Sequence, residues 1–220
     1  MFDRLSILAK KGYYPDTILD IGAYHGNWTK SMKDIFTGSK YYLFEAIDYP
    51  ELNQFKGQSD TTVYNIILND KIDYVDWFQM KNTGDSIFKE KTHHFTNCEV
   101  IKRESIDLNT HIVNNNILNE AKHILIKIDC QGAEIPILKG ATSLFEKTDF
   151  IILEMPLFGQ YNEGVPSFSA HIHFMEENGF VIYDILVNHY INNFNMQVDV
   201  LFINKKHEFN NTVNKLLLIK

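Results

Sequence analysis

Cysteine is scarce in this chain: Cys98 and Cys130 are the two among 220 residues. Two thiols with no CxxC spacing exclude a disulfide framework and a thioredoxin-type redox motif, and give zinc no thiolate pair. Long apolar runs are also missing. The longest are of the size of Phe150 to Leu153 or Leu216 to Ile219, far short of the about 18 residues a membrane-spanning helix needs, so a soluble protein with no membrane span is expected. Positive charge is in deficit, with 21 Lys and Arg against 28 Asp and Glu, a net charge of −7, and no run of five basic residues. Phosphate backbones need clustered positive charge, which argues against nucleic acid as the main partner. With no linker, internal repeat or low-complexity stretch, one domain over residues 1–220 is expected. Met1 to Gly12 mixes Asp3, Arg4, Lys10 and Lys11 with Phe2, Leu5, Ile7 and Leu8. It reads as a helix within residues 1–14 and lacks a signal peptide's apolar core, so a cytoplasmic location is expected.

What is present is a series of short β-rich runs separated by helical stretches. Thr17–Ile21 lies between Pro15 and Gly22 and reads as a buried strand; Lys40–Glu45 is a second, and the helical spacing of Trp28, Met32, Ile35 and Phe36 lies between them. Strand, helix, strand is the parallel crossover unit. Thr62–Leu68 is a third run, and residues 71–106 read as an insertion whose strands Tyr74–Met80 and Cys98–Ile106 flank a polar stretch, Thr83 to Asn97. His123–Asp129 is the fourth strand, followed by a helix around Ile135–Phe145 and an almost wholly apolar strand, Phe150–Leu153. Continuous apolar runs suit central strands of a parallel sheet covered on both faces. Residues 155–168 form a loop, Ser167–Asn178 a helix stopped by Gly179, and Phe180–Leu186 pairs with Val198–Ile203 across a loop Val187–Gln197 as a closing antiparallel hairpin. The fold class expected is α/β, Rossmann-like, with a mostly parallel central sheet.

Acidic residues stand at three strand ends, Glu45, Asp129 and Glu154, on the edge where open α/β sheets bind ligands. After the first strand the chain reads Asp20-Ile21-Gly22-Ala23-Tyr24-His25-Gly26-Asn27-Trp28. Glycines at Gly22 and Gly26 suit close backbone approach to a ligand, but the spacing is not the GxGxxG of a pyrophosphate cradle. Glu45, with Ala46 beside it, is placed to accept both hydroxyls of a ribose. A ribose without a pyrophosphate points to S-adenosylmethionine, its amino-acid end on Asp20 and the amides near Gly22, Ala23 and Gly26. Asn69 and Asp70, after the third strand, are candidates for the adenine.

Three stretches, Asp20-Ile-Gly-Ala-x-x-Gly-x-Trp-Thr29, Phe44-Glu45 and Lys127-Ile-Asp-Cys-Gln-Gly-Ala-Glu-Ile-Pro-Ile-Leu-Lys-Gly-Ala141, together resemble the FkbM family of S-adenosylmethionine-dependent methyltransferases. The resemblance spans Gly12 to Ile203 and departs at Tyr24-His25 in the glycine turn and at Gln131, where many members carry Glu. It implies a class I methyltransferase fold and O-methylation of a hydroxyl on a sugar or similar small acceptor, as in polysaccharide biosynthesis. It also places Ser86 near the cofactor.

Methyl transfer needs an acceptor oxygen held in line and a group to take its proton. Asp129, Glu134 and Glu154 are the candidate bases, with Lys127 able to hold a carboxylate or stabilise an alkoxide. The bland readings are that Asp20 caps a helix, that Lys127 and Glu134 form a structural ion pair, and that Glu154 caps a loop. A divalent metal would find carboxylates at Asp129 and Glu154, and the sequence leaves that open. His93-His94 and His171-x-His173 are not expected to bind zinc, because residues two apart on a helix face different directions. The acceptor pocket is expected from residues 82–97 and 157–167, with Phe158, Tyr161 and Phe168 stacking on a sugar ring. The alternative is a non-catalytic module of the same fold that binds a glycan or protein partner; a nicotinamide oxidoreductase is disfavoured by the glycine spacing.

Overall fold

The computed structural model of the chain describes residues 1–157 and 162–217. In chain order the elements are α1 (Phe2–Lys10), β1 (Thr17–Ile21), α2 (Asn27–Ile35), β2 (Lys40–Glu45), β3 (Thr61–Asn65), β4 (Ile67–Asn69), β5 (Asp73–Gln79), β6 (Glu99–Asp107) and α3 (Leu108–Asn115). They continue with β7 (Ile124–Ile128), α4 (Glu134–Lys139), β8 (Thr148–Pro156), α5 (Phe168–Glu177), β9 (Phe180–Ile191), β10 (Phe194–Asn204) and α6 (Glu208–Leu216).

The described strands make a seven-stranded sheet in the order β3-β2-β1-β7-β8-β10-β9 and a three-stranded sheet β4-β6-β5. The first five strands of the large sheet run parallel, and β10 and β9 close it antiparallel. Every residue of β1 and of β7 is buried, as continuous apolar runs in a doubly covered sheet require. Alternation sends Leu19, Ile21, Ile126 and Ile128 to one apolar cluster, and Ile18 and Leu125 to the other with Leu5 and Leu8 of α1 and Met32 of α2. Chain order reverses between β1 and β7, the topological switch point where such sheets bind their ligands. No helix among the described residues is long and apolar enough to cross a membrane.

Five elements differ from the sequence reading. The run read as one strand, Thr62–Leu68, is two: β3 pairs with β2, and after Ile66 the chain leaves the large sheet so that β4 pairs with β6. The helix expected to reach Phe145 stops at Lys139: the backbone leaves helical geometry at Ala141, at φ −120°, and continues as a 3-10 turn over Thr142–Leu144. The loop read as Val187–Gln197 is mostly strand: Asn192 and Asn193 take φ of 49° and 67°, the pair of left-handed residues of a two-residue hairpin turn, for which Asn is suited. Helices α3 and α6 were not anticipated. Residues 158–161, which include Phe158 and Tyr161, lie outside the described residues.

Ile126 is fully buried at the middle of the sheet. Ile126→Ala is expected to lower unfolding free energy by about 2 to 5 kcal/mol in urea titrations. Tyr74→Ala, at a 68% exposed position, is expected to change it by less than about 0.5 kcal/mol.

Candidate functional site

Asp20 and Lys127 are register partners on the two central strands. The Lys127 ammonium, 8% exposed, lies 3.2 Å from Asp20 Oδ1 and 3.5 Å from Asp129 Oδ2 and donates to the Gly22 carbonyl at 2.8 Å. Burial alone would lower its pKa, but the Asp20 and Asp129 charges outweigh that and raise it above the usual lysine value. Asp20 is fully buried, and burial pushes its carboxyl up against the pull of Lys127 and of the Thr29 hydroxyl, which donates at 2.6 Å. One ammonium therefore ties the end of β1 to the end of β7.

Beyond β1 the backbone turns sharply. A Cβ on Gly22, at φ +74°, would lie 2.0 Å from the Asp129 carbonyl oxygen, and one on Gly26, at φ +75°, 2.3 Å from the Phe55 ring. Only glycine fits either place. Between them Tyr24 holds a φ of 50°, its ring stacked on His25 with centroids 3.7 Å apart. The Tyr24 amide donates to Glu45 Oε2 at 2.7 Å, and the Ile47 amide donates to Oε1 at 3.0 Å. Burial raises the Glu45 pKa while those two donors oppose the shift.

These groups open on a cavity of about 750 Å³, a size that suits a small-molecule ligand. Gly22, Ala23, Glu45 and Ala46 line it on the β1–β2 side, Ile66, Ile67, Leu68 and Trp77 form an apolar wall, and Lys127, Asp129, Gln131, Glu154 and Gln197 form a polar end. The insertion covers it with Asn82, Thr83, Gly84 and Asp85. Asp85 shapes that cover by accepting from the amides of Met80, Lys81 and Asn82. Arg103 donates to the Ala46 carbonyl at 2.6 Å and lies 5.8 Å from the Trp77 ring. The Tyr49 hydroxyl and the Trp77 indole nitrogen are buried with no protein partner, and both residues line the cavity.

At the polar end, Gln131 adopts φ +52°, and its amide donates to Asp129 Oδ1 at 3.2 Å and to Glu154 Oε2 at 2.8 Å. An amide proton donor thus stands between the two carboxylates proposed from sequence as metal ligands. Gln197 adds a second donor to Glu154 Oε2 at 3.0 Å. Burial, then the charges of Asp129, Glu134 and Asp199, pushes the Glu154 carboxyl well above the usual range.

A model of the FkbM methyltransferase domain matches residues 20–182. The chain belongs to the FkbM methyltransferase family. No curated protein matches it in sequence. Among solved structures, the FkbM methyltransferase of Methylobacillus flagellatus KT superimposes with a TM-score of 0.50 at 12% identity over 84% of this chain and 43% of that one. This chain thus spans less than half the length of that relative. The 1,6-didemethyltoxoflavin-N1-methyltransferase of Burkholderia thailandensis gives a TM-score of 0.51 at 11% identity, covering 93% and 78%. Magnesium protoporphyrin IX methyltransferase of Synechocystis PCC 6803 gives 0.51 at 9%, covering 92% and 76%. Identities this low speak for the shared fold alone.

In this FkbM chain the residues read from sequence divide. Gly22, Ala23, Glu45, Ala46, Lys127, Asp129 and Glu154 line the cavity. Asp20 and Gly26 do not: Asp20 lies below the surface and acts through Lys127, and Gly26 packs on Phe55. Asn69 and Asp70 are carried off by the small sheet, Asp70 into solvent, so the wall at that point is Ile66 to Leu68. Ser86 is buried as a tie, donating to the carbonyls of Cys130 and Gln131. Glu134 is wholly buried beneath the turn: Oε1 accepts from the Cys130 and Gly132 amides, and Oε2 lies 3.8 Å from His171 Nε2. The Lys127–Glu134 ion pair weighed as the bland alternative is absent among the described contacts, because Lys127 turns to Asp20. Trp77, Tyr49, Asp85 and Gln197 were missed; an aromatic in an inserted strand carries no sequence signal for a site.

Lys127→Met leaves the Asp20 carboxylate buried without its cation and is expected to cost about 3 to 5 kcal/mol. Asp20→Asn in the same chain is expected to recover a large part of that loss, read as a coupling energy from denaturant titrations of the two single variants and the double.

Proposed function

We propose that the chain is an S-adenosylmethionine-dependent O-methyltransferase that acts on a hydroxyl of a glycan, nucleotide-sugar or similar small acceptor. The observation that carries this reading is the sheet order β2-β1-β7, which sets Glu45 and Asp129 on either side of the glycine turn around one cavity. The cavity's residues fit the cofactor. Glu45 keeps lone pairs for two ribose hydroxyls after accepting its two backbone bonds. The apolar wall from Ile66 to Leu68 suits a flat base, and Tyr49 and Trp77 offer it unpartnered polar atoms. Amides near Gly22 and Ala23 serve the amino-acid end. The same fold is crystallised with S-adenosylhomocysteine in the 1,6-didemethyltoxoflavin-N1-methyltransferase and with S-adenosylmethionine in the magnesium protoporphyrin IX methyltransferase, which supports the choice.

When bound, S-adenosylmethionine supplies an electrophilic methyl group. This chain's residues do the rest by placing the acceptor and taking its proton. Asp129, 40% exposed at the polar end and flanked by Lys127 and the Gln131 amide, accepts the hydrogen bond of the acceptor hydroxyl and then its proton. The Lys127 charge steadies the oxygen as its proton leaves. Gln131, Gln197 and Glu154 offer further hydrogen bonds to a hydroxyl-rich acceptor. Holding oxygen and methyl in line is worth on the order of 7 to 11 kcal/mol of barrier. A cytoplasmic location and a small or glycan acceptor remain part of this proposal, and the net charge of −7 speaks only against nucleic acid as the main partner.

Calorimetric titration with S-adenosylhomocysteine should show one site, weakened at least about tenfold in Glu45→Ala, equivalent to the loss of a hydrogen bond to a charged group. Asp129→Asn should keep that affinity while methyl transfer to hydroxylated acceptors falls by about 10² to 10⁴. Absence of binding, or methyl found on nitrogen alone, would contradict the reading.

A further inference from the structure

The polar end of the cavity continues into the antiparallel part of the sheet. Asp199 on β10 is the direct cross-strand partner of Glu154 on β8. Like charges directly opposite one another across a strand pair are destabilising, and this pair sits in poorly hydrated surroundings, Asp199 being 7% exposed. Lys127, the cation at this end of the cavity, is engaged by Asp20 and Asp129. From β9, His189 brings Nε2 to 3.0 Å from Asp199 Oδ2. Ligand atoms of Glu154, His189 and Asp199 all lie within 4.8 Å of one another, and Glu154 also lines the cavity.

We propose that Glu154, His189 and Asp199 bind a divalent transition cation of the zinc or manganese kind in the wall of the cavity. One imidazole and two carboxylates suit such ions, whereas magnesium and calcium prefer oxygen ligands throughout. Three protein ligands leave a coordination position open. The cation takes the place of the proton shared by His189 Nε2 and Asp199 Oδ2, and that proton passes to solvent. It removes the repulsion between Glu154 and Asp199. Three separate strands hold the ligands, so little ordering is needed on binding. The site shares Glu154 with the Asp129–Glu154 pairing but replaces Asp129 with His189 and Asp199; the Gln131 and Gln197 amides donate to Glu154 Oε2, which leaves the other carboxylate oxygen for the cation. Only its use, polarising an acceptor hydroxyl beside Asp129, rests on the methyltransferase reading; its existence does not.

The full chain, stripped with chelator, would be titrated with Mn²⁺ under electron paramagnetic resonance and with Zn²⁺ by calorimetry. One ion per chain is expected, with affinity lowered by about tenfold or more in His189→Gln and in Asp199→Asn and unchanged in Glu104→Gln on β6. His189 is half-buried, so its variant keeps the test valid if Asp199→Asn does not fold. S-adenosylhomocysteine affinity, measured on the same His189→Gln protein, should be unaltered, which separates this site from the cofactor reading. No stoichiometric ion, or binding that survives both substitutions, would overturn the proposal.

Discussion

A single buried ammonium sets the geometry on which the site depends. Lys127 cannot occupy a buried place in an apolar strand without compensation, since an unpaired buried charge costs several kcal/mol. Asp20 compensates it from the neighbouring strand, and the pairing draws the Gly22 carbonyl and the Asp129 carboxylate to the same point. The β1–β7 pairing continues past the strand ends, with the Asp129 amide donating to the Ile21 carbonyl at 3.1 Å, and this close approach leaves no room for a side chain at Gly22. One side chain thus joins the ends of β1 and β7 and holds the Asp20 carboxylate, the Gly22 carbonyl and the Asp129 carboxylate within reach of a single ammonium.

Charge is segregated around that unit. Toward β2 and β4 the wall from Ile66 to Leu68 is apolar, with Glu45 beside it held by two backbone donors, and the insertion adds Asp85 and Glu90 to the lining. Toward β8 and β10 it is crowded with carboxylates, and Glu154 is driven to a raised pKa by burial and by its acidic neighbours. A ligand with a neutral, flat end and a cationic end suits this gradient. An S-adenosyl cofactor has that distribution, which is why the cavity electrostatics and the family agree.

Much of this was legible in the sequence because it depends on local patterns. Continuous apolar runs marked β1, β7 and β8, and carboxylates immediately after strands marked Glu45 and Asp129. What failed needed tertiary information. Asp20 precedes the glycine turn in sequence, but the partner strand supplies Lys127 at the same level, and the carboxylate is spent there. The chain leaves the large sheet at Ile66, a switch with no residue signal, so Asn69 and Asp70 were assigned to a wall they never reach. Glu134 was read as a site residue, yet the first turn of α4 points it at backbone amides and His171. Some misses had signals in plain view. Asn192-Asn193 between alternating residues is a hairpin turn, and Asp107, whose side chain accepts from the Thr110 amide, is a helix cap of the usual kind.

The most direct test of the account is a crystal structure of the chain with S-adenosylhomocysteine bound. The ribose hydroxyls are predicted on Glu45, the adenine against Ile66 to Leu68 and Trp77, and the sulfur facing Asp129 with Lys127 still on Asp20. A ligand seated elsewhere, or Lys127 released from Asp20 to contact it directly, would contradict the claim that the buried ion pair frames the site.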